Sequence, residues 1–186
     1  MKQHHVFSFL QRMGKSFMLP IAVLPVAGLF LGVGTSLTNE TTIAAFHLES
    51  VLGQGTFLYS VLILLKQVGK VLFDNLPLIF AVSIALGMSK QRKEVAALAA
   101  IIAFFVMHAT INTLLCLDGS IVNGVVSNYI LDRSITSVCG MLSLEMGVFG
   151  GIVVGLGVSY LHNRFYQIQL PNVISFYEGE RFVPIV

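Results

Sequence analysis

Between Lys15 and Glu40 the chain carries no charged residue, and Phe17 to Leu37 is almost unbrokenly apolar. An α-helix rises about 1.5 Å per residue, so a stretch of this length crosses roughly 30 Å of hydrocarbon. It is longer than the apolar region of a signal peptide, and no convincing A-x-A cleavage pattern flanks it, so it reads as a retained first membrane helix. Pro20 and Pro25 lie inside it. A packed membrane helix accommodates them, because neighbouring groups re-satisfy the backbone that proline leaves unbonded. The composition points the same way: 55% of the 186 residues are hydrophobic, only 11% are charged, and the mean hydropathy is +0.85. A soluble domain carries about 25% charged residues to hydrate its surface. A disordered chain, a nucleic-acid-binding protein and an ordinary cytosolic enzyme are excluded, and a net charge of +2 implies no polyanionic partner.

Further apolar stretches predict spans at roughly 17–38, 68–88, 95–117 and 145–162. Ahead of the second, Phe57 to Leu65 is too short to cross and reads as an interfacial or re-entrant piece. The apolar tail Phe182 to Val186 reads as the start of a fifth span. The expected fold is therefore all-α and membrane-integral, with about four transmembrane helices, a short interfacial helix and the beginning of another. Lys2, Arg12, Lys15, Lys90, Arg92, Lys93, Arg164 and Arg181 fall on one side of these spans. The alternate loops hold Lys66 and Arg133 together with Glu40, Glu49, Asp118, Asp132 and Glu145. The positive-inside rule then places the N-terminus in the cytoplasm.

Few residues are placed to carry chemistry. His108 sits within the third span with Asn112 one turn on, and a polar pair at that depth either touches a ligand or fastens packing; packing carries the greater weight. Lys66, Lys70 and Asp74 share one helix face and read as snorkelling charges at the entrance to the second span. Asn75 then precedes Leu76-Pro77, the kind of polar break at which transporters place unwound backbone. Gly147, Gly151 and Gly155 repeat every fourth residue and line one face for close helix approach, within the chain or between subunits. Cys116 and Cys139 fall on the same, non-cytoplasmic side, where a bridge is open to them, although two buried free thiols carry the greater weight. No catalytic residue, metal site or cofactor is indicated. The low-ranking candidates for touching a substrate are His108, Asn112 and Asn75.

Three residue strings go further. They are Gln11-Arg12-Met13-Gly14-Lys15-Ser16-Phe17-Met18-Leu19-Pro20 running on through Pro25 to Gly28, Asp74-Asn75-Leu76-Pro77-Leu78 through Gly87, and Leu161-His162-Asn163-Arg164-Phe165 followed by Leu170-Pro171 and Arg181-Phe182-Val183-Pro184. In order and spacing they resemble the membrane-spanning C component of the bacterial phosphoenolpyruvate-dependent sugar phosphotransferase system, in its glucose, N-acetylglucosamine and maltose/α-glucoside branch. The resemblance implies a homodimeric permease of the bacterial plasma membrane that binds a glucose-type sugar or α-glucoside outside and releases it phosphorylated inside. It implies a cytoplasmic B component as partner, whose phosphocysteine supplies the phosphoryl group. These residues would form the N-terminal, scaffold or dimerisation part. The polar residues that hold the sugar in the family lie mainly in a further half that this sequence does not contain, so none transfers to a position here, and neither cysteine matches the B-domain motif. The chain alone is then expected to be inactive, as a truncated or partial permease. The outer loop 118–143 looks more like the maltose/α-glucoside permeases. A non-transporting membrane protein that pairs with itself or with an intact permease is the alternative. A channel is disfavoured, because His108 and Asn112 are too little to line a pore.

Overall fold

A computed structural model describes residues 2–127, 133–169, 171, 176 and 178–185. Asp132, Leu170 and Val186, to which the sequence assigns parts of a loop, a motif and a span, lie outside the described residues. The chain is 71% helical, with no closed sheet among the described residues. Its helices are α1 (Lys2–Ser16), α2 (Met18–Leu37), α3 (Glu40–Ala45), α4 (Glu49–Leu52), α5 (Phe57–Asp74), α6 (Leu76–Met88), α7 (Lys93–Leu117) and α8 (Gly147–Phe165). Two short hairpins, β1 (Ile121–Val122) with β2 (Val125–Val126) and β3 (Ile135–Val138) with β4 (Met141–Leu144), separate α7 from α8. A 3-10 turn covers Gly179–Phe182.

Among the described residues two stretches are long and apolar enough to cross a membrane, Phe7–Leu37 and α7, and α5 with α6 makes a third if the pair is one span. The expected fourth span is a helix, α8, but not one of these: its glycines and its terminal His162-Asn163-Arg164 dilute its hydropathy. The short piece expected at Phe57 to Leu65 is instead the first half of a longer helix, as α5 runs unbroken to Asp74. The break falls at Asn75. Pro77 has no N–H to give the Phe73 carbonyl, so the helical ladder cannot pass through it. Asn75 closes α5 from below, donating its side-chain amide to the Val71 carbonyl at 2.8 Å. The all-α expectation also misses the hairpins. Each turns on two residues of positive φ, Asn123-Gly124 and Cys139-Gly140, the geometry that matches the twist of paired strands.

The contacts divide the chain into two units. One spans residues 20–75. In it α2 and α5 approach through a reciprocal pair of glycines: a Cβ on Gly34 would lie 2.6 Å from the Lys66 Cβ, and one on Gly69 would lie 2.7 Å from the Ala27 carbonyl oxygen. Ile43, Leu52 and Leu62 form its small core. Thr56 caps α5 by accepting from the Tyr59 N–H at 3.2 Å, filling one of the bonds that a helix start leaves open.

The second unit comprises residues 1–19 and those from 76 onward. Its core is built from small side chains, Ala81, Ala85, Ala96, Ala99 and Ala100, around the fully buried Phe104 and with Val154, Val158 and Val183. Alanine and glycine let α6, α7 and α8 come close. Gly151 lies directly on the Pro77 carbonyl, and a Cβ on Gly155 would lie 2.6 Å from the Ala81 carbonyl oxygen. The expected glycine face of α8 is thus occupied inside the chain at Gly151 and Gly155, whereas Gly147 faces open space. Val183 closes this core just after the 3-10 turn, where the start of a fifth helix was expected.

Candidate functional site

The second unit holds two buried histidines, each tying α7 or α8 to a non-helical segment. His108 is 2% exposed on α7. Its Nδ1 lies 2.7 Å from Oγ of Ser143, the fully buried serine of β4. Phe104, one turn earlier, lays its ring 4.6 Å from the imidazole. One turn later Asn112 donates its amide to the Leu142 carbonyl at 2.7 Å. The i, i+4 spacing on α7 therefore meets consecutive residues of β4, one through a side chain and one through the backbone. This fastens the β3–β4 hairpin to the helix. Burial pushes the Cys139 thiol, in the tight turn of that hairpin, above its usual range, because the thiolate loses hydration.

The other histidine stands near the end of α8 and supports the turn from α6 to α7. His162 is fully buried and donates from Nε2 to the Gln91 carbonyl at 2.7 Å. Its neighbour Asn163 accepts from the Lys90 N–H at 2.9 Å and donates to the Met88 carbonyl at 3.1 Å. Three bonds thus hold residues 88–91 just before Arg92, which takes a left-handed conformation with φ 47°. Tyr166 stacks on His162 at 5.8 Å. Nδ1 of His162 and the Ser89 hydroxyl are buried with no hydrogen-bond partner among the described residues.

The remaining sequence candidates are divided between the two units. Asn75 sits at the α5–α6 break, bonded to its own helix. Lys70 and Asp74 pair on an exposed face, an arrangement worth about 0.5 kcal/mol or less. Lys66 packs beneath Gly34. Cys116 and Cys139 are not joined in a disulfide. The structure brings His108 and Asn112 together on α7, whereas Asn75 belongs to the other unit. The α6–α7 turn and its supports were not found from sequence as a site. Its only signal was the polar run His162-Asn163-Arg164 ending a glycine-rich helix, which does not reveal its partners.

The chain matches the family model described as "Phosphotransferase system, EIIC" over residues 14–186. It is 39% identical over 181 residues to the "PTS system glucose-specific EIICBA component" of Staphylococcus saprophyticus subsp. saprophyticus, an alignment covering 97% of this chain and 25% of that protein. The chain therefore spans about a quarter of the length of that relative. The second and third sequence blocks lie within the residues matched, as does the first from Gly14 onward, and the chain belongs to the EIIC family of the phosphotransferase system.

Proposed function

We propose that these residues form the N-terminal scaffold part of a multi-pass sugar permease of the phosphotransferase system, in a bacterial plasma membrane. The observation that carries the reading is the family match over residues 14–186. Four spans, at 17–38, 68–88, 95–117 and 145–162, with a cytoplasmic N-terminus follow from the apolar stretches and the distribution of Lys and Arg. The substrate is a sugar of the glucose class, as the name of the glucose-specific relative supports. The phosphoryl donor is a phosphocysteine on a cytoplasmic B component: its P–S bond breaks, a P–O bond to a sugar hydroxyl forms, and the hydroxyl proton is released. Phosphoryl transfer of this kind asks the membrane component for positioning and charge stabilisation more than for covalent chemistry. The working assembly is a homodimer.

Within this reading His108 and Asn112 act by holding the β3–β4 hairpin, since their side chains bond Ser143 and the Leu142 carbonyl. Asn75 is the candidate nearest to unwound backbone. The alternative of self-pairing through the glycine face of α8 loses Gly151 and Gly155, which pack against α6 in the same chain.

The test uses membranes from cells carrying the gene and from a strain deleted for it. Both receive phosphoenolpyruvate, the general phosphotransferase proteins and labelled glucose, maltose or N-acetylglucosamine. Loss of labelled sugar phosphate in the deletion is expected, and the sugar affected names the branch. Equal product from both membranes for every sugar would sink the proposal.

A further inference from the structure

The N-terminal helix and the α6–α7 turn border a cavity that the transport reading does not use. It has a volume of about 520 Å³ and lies between α1, the end of α6 and α8. Arg12 and Lys90 both line it, with Asn163 and the buried Ser159 as polar wall and Leu156 and Tyr160 as apolar wall. A second cavity of about 340 Å³ shares Arg12 and adds Lys15 and Lys93. Four cations thus surround two adjoining hollows. None of the four has a carboxylate partner among the described residues, where the ion pairs are Lys70 with Asp74 and Arg92 with Glu94. Like charges gathered around concave, partly apolar walls raise the local concentration of anions.

We propose that this cavity seats the phosphate headgroup of an anionic phospholipid from the leaflet on the N-terminal side. A phosphate matches the donors: the Arg12 guanidinium offers a planar fork, and Lys90 a compact point charge. The surroundings favour a lipid over a soluble phosphate. Phe9 on α1 and Tyr160 on α8 both line the cavity and are 45% and 66% exposed. Apolar and amphipathic side chains on the wall of a basic pocket suit acyl chains at a membrane interface, where basic pockets between helices take anionic headgroups. Snorkelling alone would place each cation separately in water. Here Arg12 and Lys90, far apart in sequence, line one hollow.

The inference rests on the proposed membrane placement, which is tested separately by whether the protein needs detergent to leave the membrane. With the full chain in detergent micelles, native mass spectrometry would follow retention of phosphatidylglycerol against phosphatidylcholine. Phosphatidylglycerol should be retained preferentially, and the preference should fall about fivefold for each charge removed in Arg12→Gln and Lys90→Gln, from about 1 kcal/mol per basic residue. Arg12→Lys and Lys90→Arg, which keep the charge, should hold most of it, and Lys70→Gln, on an exposed face of α5, should leave it unchanged. Equal retention of the two lipids, or equal loss in Lys70→Gln and Arg12→Gln, would overturn the proposal. Displacement of the lipid by millimolar inorganic phosphate would also overturn it, by assigning the cavity to a soluble anion.

Discussion

Two buried histidines in one helical unit do the same kind of work with different partners, and the partner decides how each can be tested. His108 meets the hydroxyl of another side chain, Ser143. His162 meets a main-chain carbonyl, that of Gln91. A bond between side chains can be removed from both ends, leaving no orphan. One to the backbone cannot, because the carbonyl stays whatever residue replaces histidine. Their neighbours repeat the contrast in part: Asn112 bonds one carbonyl on the hairpin, whereas Asn163 bonds both an N–H and a carbonyl in the turn. The α6–α7 turn should therefore depend on α8 more heavily than the hairpin depends on α7.

The largest effect is expected from His162→Ala. It empties a fully buried site, removes the stack on Tyr166 and leaves the Gln91 carbonyl without its partner. The cost should be about 3 kcal/mol, read as a lower unfolding midpoint when detergent-solubilised protein is titrated with a denaturing detergent. Trypsin should also cut faster at Lys90, Arg92 and Lys93. A midpoint within error of the parent would break the comparison at its stronger side.

His108→Leu should cost somewhat less, about 1–3 kcal/mol, chiefly from the Ser143 hydroxyl left buried and unpaired. Adding Ser143→Ala removes the orphan, so the double variant should recover to within about 1 kcal/mol of the parent. That recovery is the sharpest form of the contrast, since no single partner change can rescue His162→Ala. A double variant no more stable than His108→Leu alone would show that the pair is not coupled. Smaller again, Asn163→Ala should cost about 1 kcal/mol or a little more and Asn112→Ala less, following the number of bonds each makes. Equal midpoints would remove the asymmetry between the two ends.

The legibility of these features followed the range of the interactions behind them. The apolar stretch through α2, the apolar length of α7 and the close-packing glycines of α8 could be read directly, because hydrophobic length and small-residue spacing are local properties of the chain. The break at Asn75 was visible as Asn-Leu-Pro, but the joining of Phe57 to Leu65 into α5 was not: the apolar run stops at Lys66, too short to cross by itself, whereas the exposed or glycine-covered positions of Lys66 and Lys70 let the helix run on. The reciprocal role of Gly34 and Gly69 was missed, because each is a single glycine on its face and the pairing is between helices. The hairpins were half-visible. Asn123-Gly124 is a common pair for two positive φ angles, but cysteine in Cys139-Gly140 is not. His108 with Asn112 could be flagged from depth and spacing; their partner strand could not, since Ser143 looks like any loop serine until β4 is placed against α7.

Cys139 gives the smallest effect and reports on the weaker clamp without unfolding anything. It is half-buried in the β3–β4 turn, and burial raises its thiol above the usual range. A raised value means that the unreactive thiol persists to higher pH, so alkylation by a maleimide should be slow near pH 8 and should accelerate only as pH rises further. The measurement is made in a Cys116→Ser background, leaving Cys139 as the labelled residue. If His108 and Asn112 hold the hairpin down, His108→Leu should expose Cys139 and speed its labelling several-fold at fixed pH, whereas His162→Ala, whose contacts lie at the α6–α7 turn, should change it little. Equal acceleration by both substitutions would mean that the two histidines support one cooperative structure, and the division between hairpin clamp and turn clamp would have to be given up.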